Sequence, residues 1–132
     1  MSFQNRRQFQ RIQYEGQANL KFVDDTNDSS QIKNLSLTGM YVAGDFPHQQ
    51  IQHCIVDVVC NGNVEKICMQ LSGQIVWSNE HGMGIKFLAM SLDNYMLLVS
   101  ALIDNAEQPL RILNEIPTQC PFEISSEKKF SL

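Results

Sequence analysis

From residue 17 to residue 89 short runs of strand-forming residues recur, separated by clusters of turn formers. "QANLKF" (17–22) puts Ala18, Leu20 and Phe22 on one face and Gln17, Asn19 and Lys21 on the other, the period of a half-buried strand. "DDTNDSS" (24–30) reads as a turn. "QIKNL" and "GMYVA" read as short strands interrupted by "SLTG", and "GDFPHQ" (44–49) as a loop. "IQHCIVDVVC" (51–60) is rich in β-branched residues, and "NGN" (61–63) is a strong hairpin signal. In the long run "VEKICMQLSGQIVW" (64–77), Ile67, Met69, Leu71, Ile75 and Trp77 share one parity. That parity predicts Trp77 in the core or at a barrel end, while Gly73 predicts a bulge or bend. After the turn "SNEHG", "MGIKFLA" (83–89) supplies a further strand.

The period then changes. In "SLDNYMLLVSALIDNA" (91–106) Leu92, Tyr95, Met96, Val99, Leu102, Ile103 and Ala106 recur at helical spacing. Ser91 is a candidate N-cap, Asp93 suits the first turn, and Pro109 lies just beyond the end. The polar face lacks Lys and Arg, so the helix reads as a lid on the sheet rather than a membrane-surface element. About six short antiparallel strands followed by one helix predict a mainly β protein, a six-stranded antiparallel β-barrel with a C-terminal α-helix. The chain divides into an arginine-bearing N-terminal arm (1–13), the barrel with its closing helix (14–106), and a C-terminal extension (107–132) with two further prolines.

Composition narrows the partners. The chain has 132 residues, 43% of them hydrophobic and 18% charged, enough for one core, with a formal net charge of −4. Mild acidity argues against a broad basic face for DNA or RNA, but not against a small anion held by a local cluster. Such a cluster exists. Arg6, Arg7 and Arg11 fall in the first twelve residues with no acid, whereas the rest of the chain carries 7 bases against 14 acids. No apolar h-region opens the sequence and no apolar run nears the roughly 18 residues of a membrane helix. Cys54, Cys60, Cys68 and Cys120 form no CxxC pair. The expectation is a cytoplasmic protein with reduced thiols, without membrane insertion.

Two stretches carry chemistry. In "RRQFQR" (6–11) Arg7 and Arg11 stand four residues apart. A guanidinium offers a planar fork of donors that fits phosphate oxygens and the O6 and N7 acceptors of guanine alike. In "NLSLTG" (34–39) Asn34 both donates and accepts, Ser36 can bind a phosphate or base edge, and Gly39 lets a backbone approach closely. Taken singly, one reads equally as an exposed tail and the other as an ordinary strand connection.

Together and in this order, RxxxR (Arg7, Arg11) followed by [D/N]xSxxG (Asn34, Ser36, Gly39) resembles the signature of the PilZ domain. "GQIVW" (73–77) and "GMGIKF" (82–87) look like later barrel strands of that family, and the resemblance covers about residues 5–106. It implies a barrel that binds the bacterial second messenger cyclic di-GMP without catalysis. The arginine arm would wrap over the ligand, and the Asn and Ser of the second motif would hold the guanine edge and phosphate. In similar proteins an additional arginine just before the motif, here Arg6, goes with two intercalated ligand molecules rather than one. Asn34 departs from the acidic form of its position and lacks a carboxylate to pair with guanine N–H donors. The arm is expected to order on the ligand and to signal through a partner protein.

Other features read as structural. Cys54, Val56, Val58 and Cys60 share a parity and read as core, which disfavours a metal site with His48 or His53. His81 has no evident nucleophile or base partner, and no carboxylate pair, Ser/His/Asp set or phosphate loop stands out. The expectation is no enzyme, no metal and no cofactor beyond the ligand. The alternative is a PilZ-like protein-interaction module, as in pilus assembly or motility, that binds no nucleotide. A barrel for single-stranded nucleic acid would need a stacking row and a basic groove that the sequence lacks.

Overall fold

A computed structural model describes residues 11–22, 27–44, 52–61, 66–116 and 122–125. Its strands are β1 (Ile12–Gln13), β2 (Gly16–Phe22), β3 (Asn27–Leu35), β4 (Gly39–Ala43), β5 (His53–Asn61), β6 (Lys66–Ser78), β7 (Gly82–Ser91) and β8 (Glu123–Ser125). Two helices, α1 (Leu92–Asn105) and α2 (Pro109–Glu115), lie between β7 and β8. The sheet runs β3-β2-β5-β6-β7-β4, and β4 pairs back onto β3, closing a six-stranded antiparallel barrel. Closure pairs each of the six strands with a neighbour on both sides over part of its length. β1 adds to the end of β3, and β8 runs parallel to β7.

The alternation read from the sequence sets the inside. Ala18, Leu20 and Phe22 from β2, Val56 and Val58 from β5, and Met69, Leu71 and Ile75 from β6 are all buried. Cys54 is buried with them, and burial pushes its thiol up to about 12, so it behaves as a small core hydrophobe rather than a thiolate ligand. Among the described residues no group of three or more His, Cys, Asp or Glu could hold a metal ion. No described helix is long and apolar enough to cross a membrane. Ser91 caps α1 by accepting from the Asn94 amide at 3.1 Å, and Gly73 marks a shift in the β6–β7 register.

Four local expectations fail for identifiable reasons. The polar run 27–30 is not a turn but the start of β3, because β2 pairs with it from Gln17↔Gln31 through Lys21↔Asn27. A second bulge between Ile75 and Trp77 breaks the parity of β6, so Val76 and Trp77 both face outward. On α1 the buried face is Leu98, Ala101 and Leu102, while Leu92 and Met96 are exposed. Pro109 does more than end α1: it opens α2 at the first helical position, where its missing N–H costs nothing. Ile112 of α2 is fully buried. Phe122 packs edge-to-face on Phe87 and Tyr95, tying the segment before β8 to β7 and α1.

Candidate functional site

The turn between β3 and β4 is built from both sides of its backbone. Leu35 and Leu37 are buried in the core and anchor it. Between them Ser36, also buried, supplies nearly all its polar contacts. The Ser36 amide donates to the Gly39 carbonyl at 2.9 Å. The Ser36 Oγ accepts from the Thr38 and Gly39 amides, each at 3.2 Å, and donates to the Gly39 carbonyl at 3.3 Å. The Thr38 carbonyl in turn accepts from the Phe87 amide at 2.9 Å, locking the turn to β7. Gly39 is required by close approach: a Cβ there would run into the Ile85 carbonyl oxygen.

β1 brings Arg11, the last residue of the first motif, to the second. Ile12 pairs with Leu35 and Gln13 with Asn34, so one step further Arg11 lies opposite Ser36. Ile12 is buried and fixes this strand on the barrel, while Arg11 is exposed. Asn34 is half-buried beside a register shift in β3, and its amide has no hydrogen-bond partner among the described residues. Arg11, Asn34, Ser36 and Gly39 therefore share one patch of the barrel. Arg6 and Arg7 lie outside the described residues.

The patch continues across strands where the sequence pattern points to nothing. Asn34 pairs with Tyr41, Tyr41 with Gly84, and Gly84 with Trp77, giving a row of outward positions over β3, β4, β7 and β6. Gly84 has no side chain to stand in the way, so the Trp77 ring lies over it; an added Cβ would strike the indole Nε1. The Tyr41 ring sits similarly against Gly82. Tyr41 and Trp77 are 5.2 Å apart between ring centroids at 30°, and Trp77 keeps 39% of its surface exposed. Such a pair offers a flat face to a planar ligand. In the neighbouring row Gly39 pairs with Lys86, which is exposed, as is Lys33 beside Asn34. Arg11, Lys33 and Lys86 thus surround the turn with positive charge in an otherwise acidic chain. The one sequence cue for this extension was the "GMG" of β7, two glycines at outward parity.

The family model of the PilZ domain matches residues 5–104. The chain belongs to the PilZ family. Solved PilZ structures share its architecture. The PilZ domain of YcgR from Escherichia coli, described with c-di-GMP, matches at a TM-score of 0.60 and 17% identity, over 85% of this chain and 99% of that one. The PilZ domain of CeSA from a cellulose-synthesizing bacterium matches at 0.54 and 14% identity, over 68% and 91%. At these identities the likeness carries the PilZ fold alone. No curated protein sequence matches the chain.

Proposed function

We propose that this PilZ domain is a cyclic di-GMP receptor and adaptor, binding the nucleotide between its arginine arm and the Asn34–Gly39 turn and signalling through a partner protein. The observation that supports the reading is the β1–β3 register, Ile12 with Leu35 and Gln13 with Asn34, which continued by one step puts Arg11 beside Ser36. In this reading Arg7 and Arg11 grip phosphate or guanine, and the Asn34 side-chain amide meets a base edge. The Ser36 hydroxyl redirects its 3.3 Å donation from the Gly39 carbonyl to the ligand while still accepting from the turn amides. Lys86 adds charge at the phosphate side, and the Tyr41–Trp77 pair receives a base.

The energetics are consistent with binding that orders the arm. Fixing about six arm residues costs roughly 1–2 kcal/mol each. Charge-assisted hydrogen bonds return about 1.5–3 kcal/mol each, so several bidentate contacts offset that cost with a modest surplus.

Calorimetry with cyclic di-GMP tests the reading on the native chain and on Arg7→Ala and Ser36→Ala. Binding that both variants weaken supports it. No heat at a protein concentration on the order of 100 μM sinks it and leaves the non-nucleotide interaction module. A stoichiometry near two ligands per chain supports the role given to Arg6, and one near unity removes it.

A further inference from the structure

Of the eight large hydrophobic side chains exposed among the described residues, five lie on α1, α2 and β8 (Leu92, Met96, Leu110, Leu113 and Ile124) and a sixth, Ile116, caps the end of α2. Met96 is 60% exposed and Leu110 74%, so these are apolar groups standing in solvent and not the rims of core residues. Leu92 and Met96 are one turn apart on the side of α1 turned away from Leu98 and Leu102. Ser91, the residue before Leu92, is in register with Ser125, which puts Ile124 of β8 beside the start of the same helix. Leu110 and Leu113 repeat the one-turn spacing on α2, which packs against α1.

Acidic residues outnumber basic ones in the segment that forms this apolar face. Residues 92–125 hold five carboxylates and a single base, Arg111. Asp104, Glu107 and Glu123 are exposed and make no ion pair among the described residues. A second copy would bring like charge against like. An anionic lipid surface would be repelled in the same way. What complements both features is an apolar-anchored segment flanked by lysine or arginine.

We propose that the outer face of α1, α2 and β8 is the docking surface for a partner protein presenting a basic, apolar-anchored segment. The inference deepens the adaptor reading by naming the partner's chemistry. It is tested without nucleotide, so its failure is distinct from a failure to bind cyclic di-GMP.

The probe is a fluorescent amphipathic peptide of leucine and lysine, about 15 residues long so that it can form a helix, titrated with the full chain and followed by anisotropy. A leucine–glutamate peptide of the same pattern is the control. The native chain is expected to bind the lysine peptide at least about tenfold more tightly than the glutamate one. The Met96→Asp/Leu110→Asp variant should lose about tenfold, with an unchanged melting temperature because both positions are exposed. Equal binding of the two peptides, or an unaffected double variant, overturns the proposal. So does a concentration-dependent dimer of the native chain that Met96→Asp abolishes, since the face then belongs to a second copy. The chain's own residues 126–132 contain Lys128, Lys129 and Phe130. A truncation after Ser125 that tightens peptide binding about tenfold would give the face to that segment instead.

Discussion

The Ser36–Gly39 turn and the short strand β1 that follows Arg11 meet across the β1–β3 pair, yet the barrel holds them differently. The turn is anchored by Leu35 and Leu37 in the core, tied to β7 through Phe87, and satisfied by one hydroxyl. β1 is two residues long, and Ile12 is its single buried anchor. The difference separates two tasks. A preformed cradle keeps its geometry without ligand, which limits the ordering cost of binding. In the proposed reading Arg11, just before that strand, brings positive charge to the turn and reports ligand by how it is held.

Substitutions in the two regions should therefore fail in different ways. The largest effect belongs to the cradle. Gly39→Ala puts a methyl group against the Ile85 carbonyl, and backbone cannot step aside as a side chain can. The expected destabilisation is about 3 kcal/mol, the upper end for overpacking, read as a lowered denaturation midpoint. A midpoint unchanged from native would mean the turn is not held against β7. Arg11→Ala should do the reverse. Arg11 is exposed, so the midpoint should move by no more than about 1 kcal/mol while cyclic di-GMP affinity falls by about 2 kcal/mol, roughly thirtyfold. Ser36→Ala should show both symptoms, losing about 1 kcal/mol of stability together with affinity, because in the proposed reading the oxygen that holds the turn also meets the ligand. The smallest effect is at Lys86, exposed and opposite Gly39. Lys86→Ala should cost about 0.5–1 kcal/mol of affinity, and the difference from native should shrink as salt rises. A salt-independent difference would take Lys86 out of the phosphate's reach.

Much of this was legible in the sequence, and the exceptions follow one physical line. Shared parity marks β2, β5 and β6 because each buries one face, strand-forming residues between turn signals mark β4 and β7, and Ser91 announces α1 because a cap is a local interaction. Residues 27–30 were missed because their strand is made by pairing with β2 and not by apolar side chains. Trp77 was assigned inward because one bulge at Val76 reverses a parity that holds up to Ile75. The second helix was hidden by Pro109, which reads as a stop but also serves as a first helical residue. At the site the two motifs were visible, and their junction was not, since a two-residue strand carries no period. Lys86, Tyr41 and Trp77 sit beside the second motif only through strand order, which is a property of the closed barrel. Without that closure nothing links residues 34, 41, 84 and 77.

The claim that cradle and arginine form one site is tested most directly by a double-mutant cycle. Cyclic di-GMP affinity would be measured calorimetrically for native, Arg11→Ala, Asn34→Ala and the double variant. The β1–β3 register brings the two residues close enough to share one ligand, so the double variant should lose at least about 1 kcal/mol less than the two single losses combined. Losses that add to within about 0.5 kcal/mol, or an Arg11→Ala protein that binds as tightly as native, would contradict it.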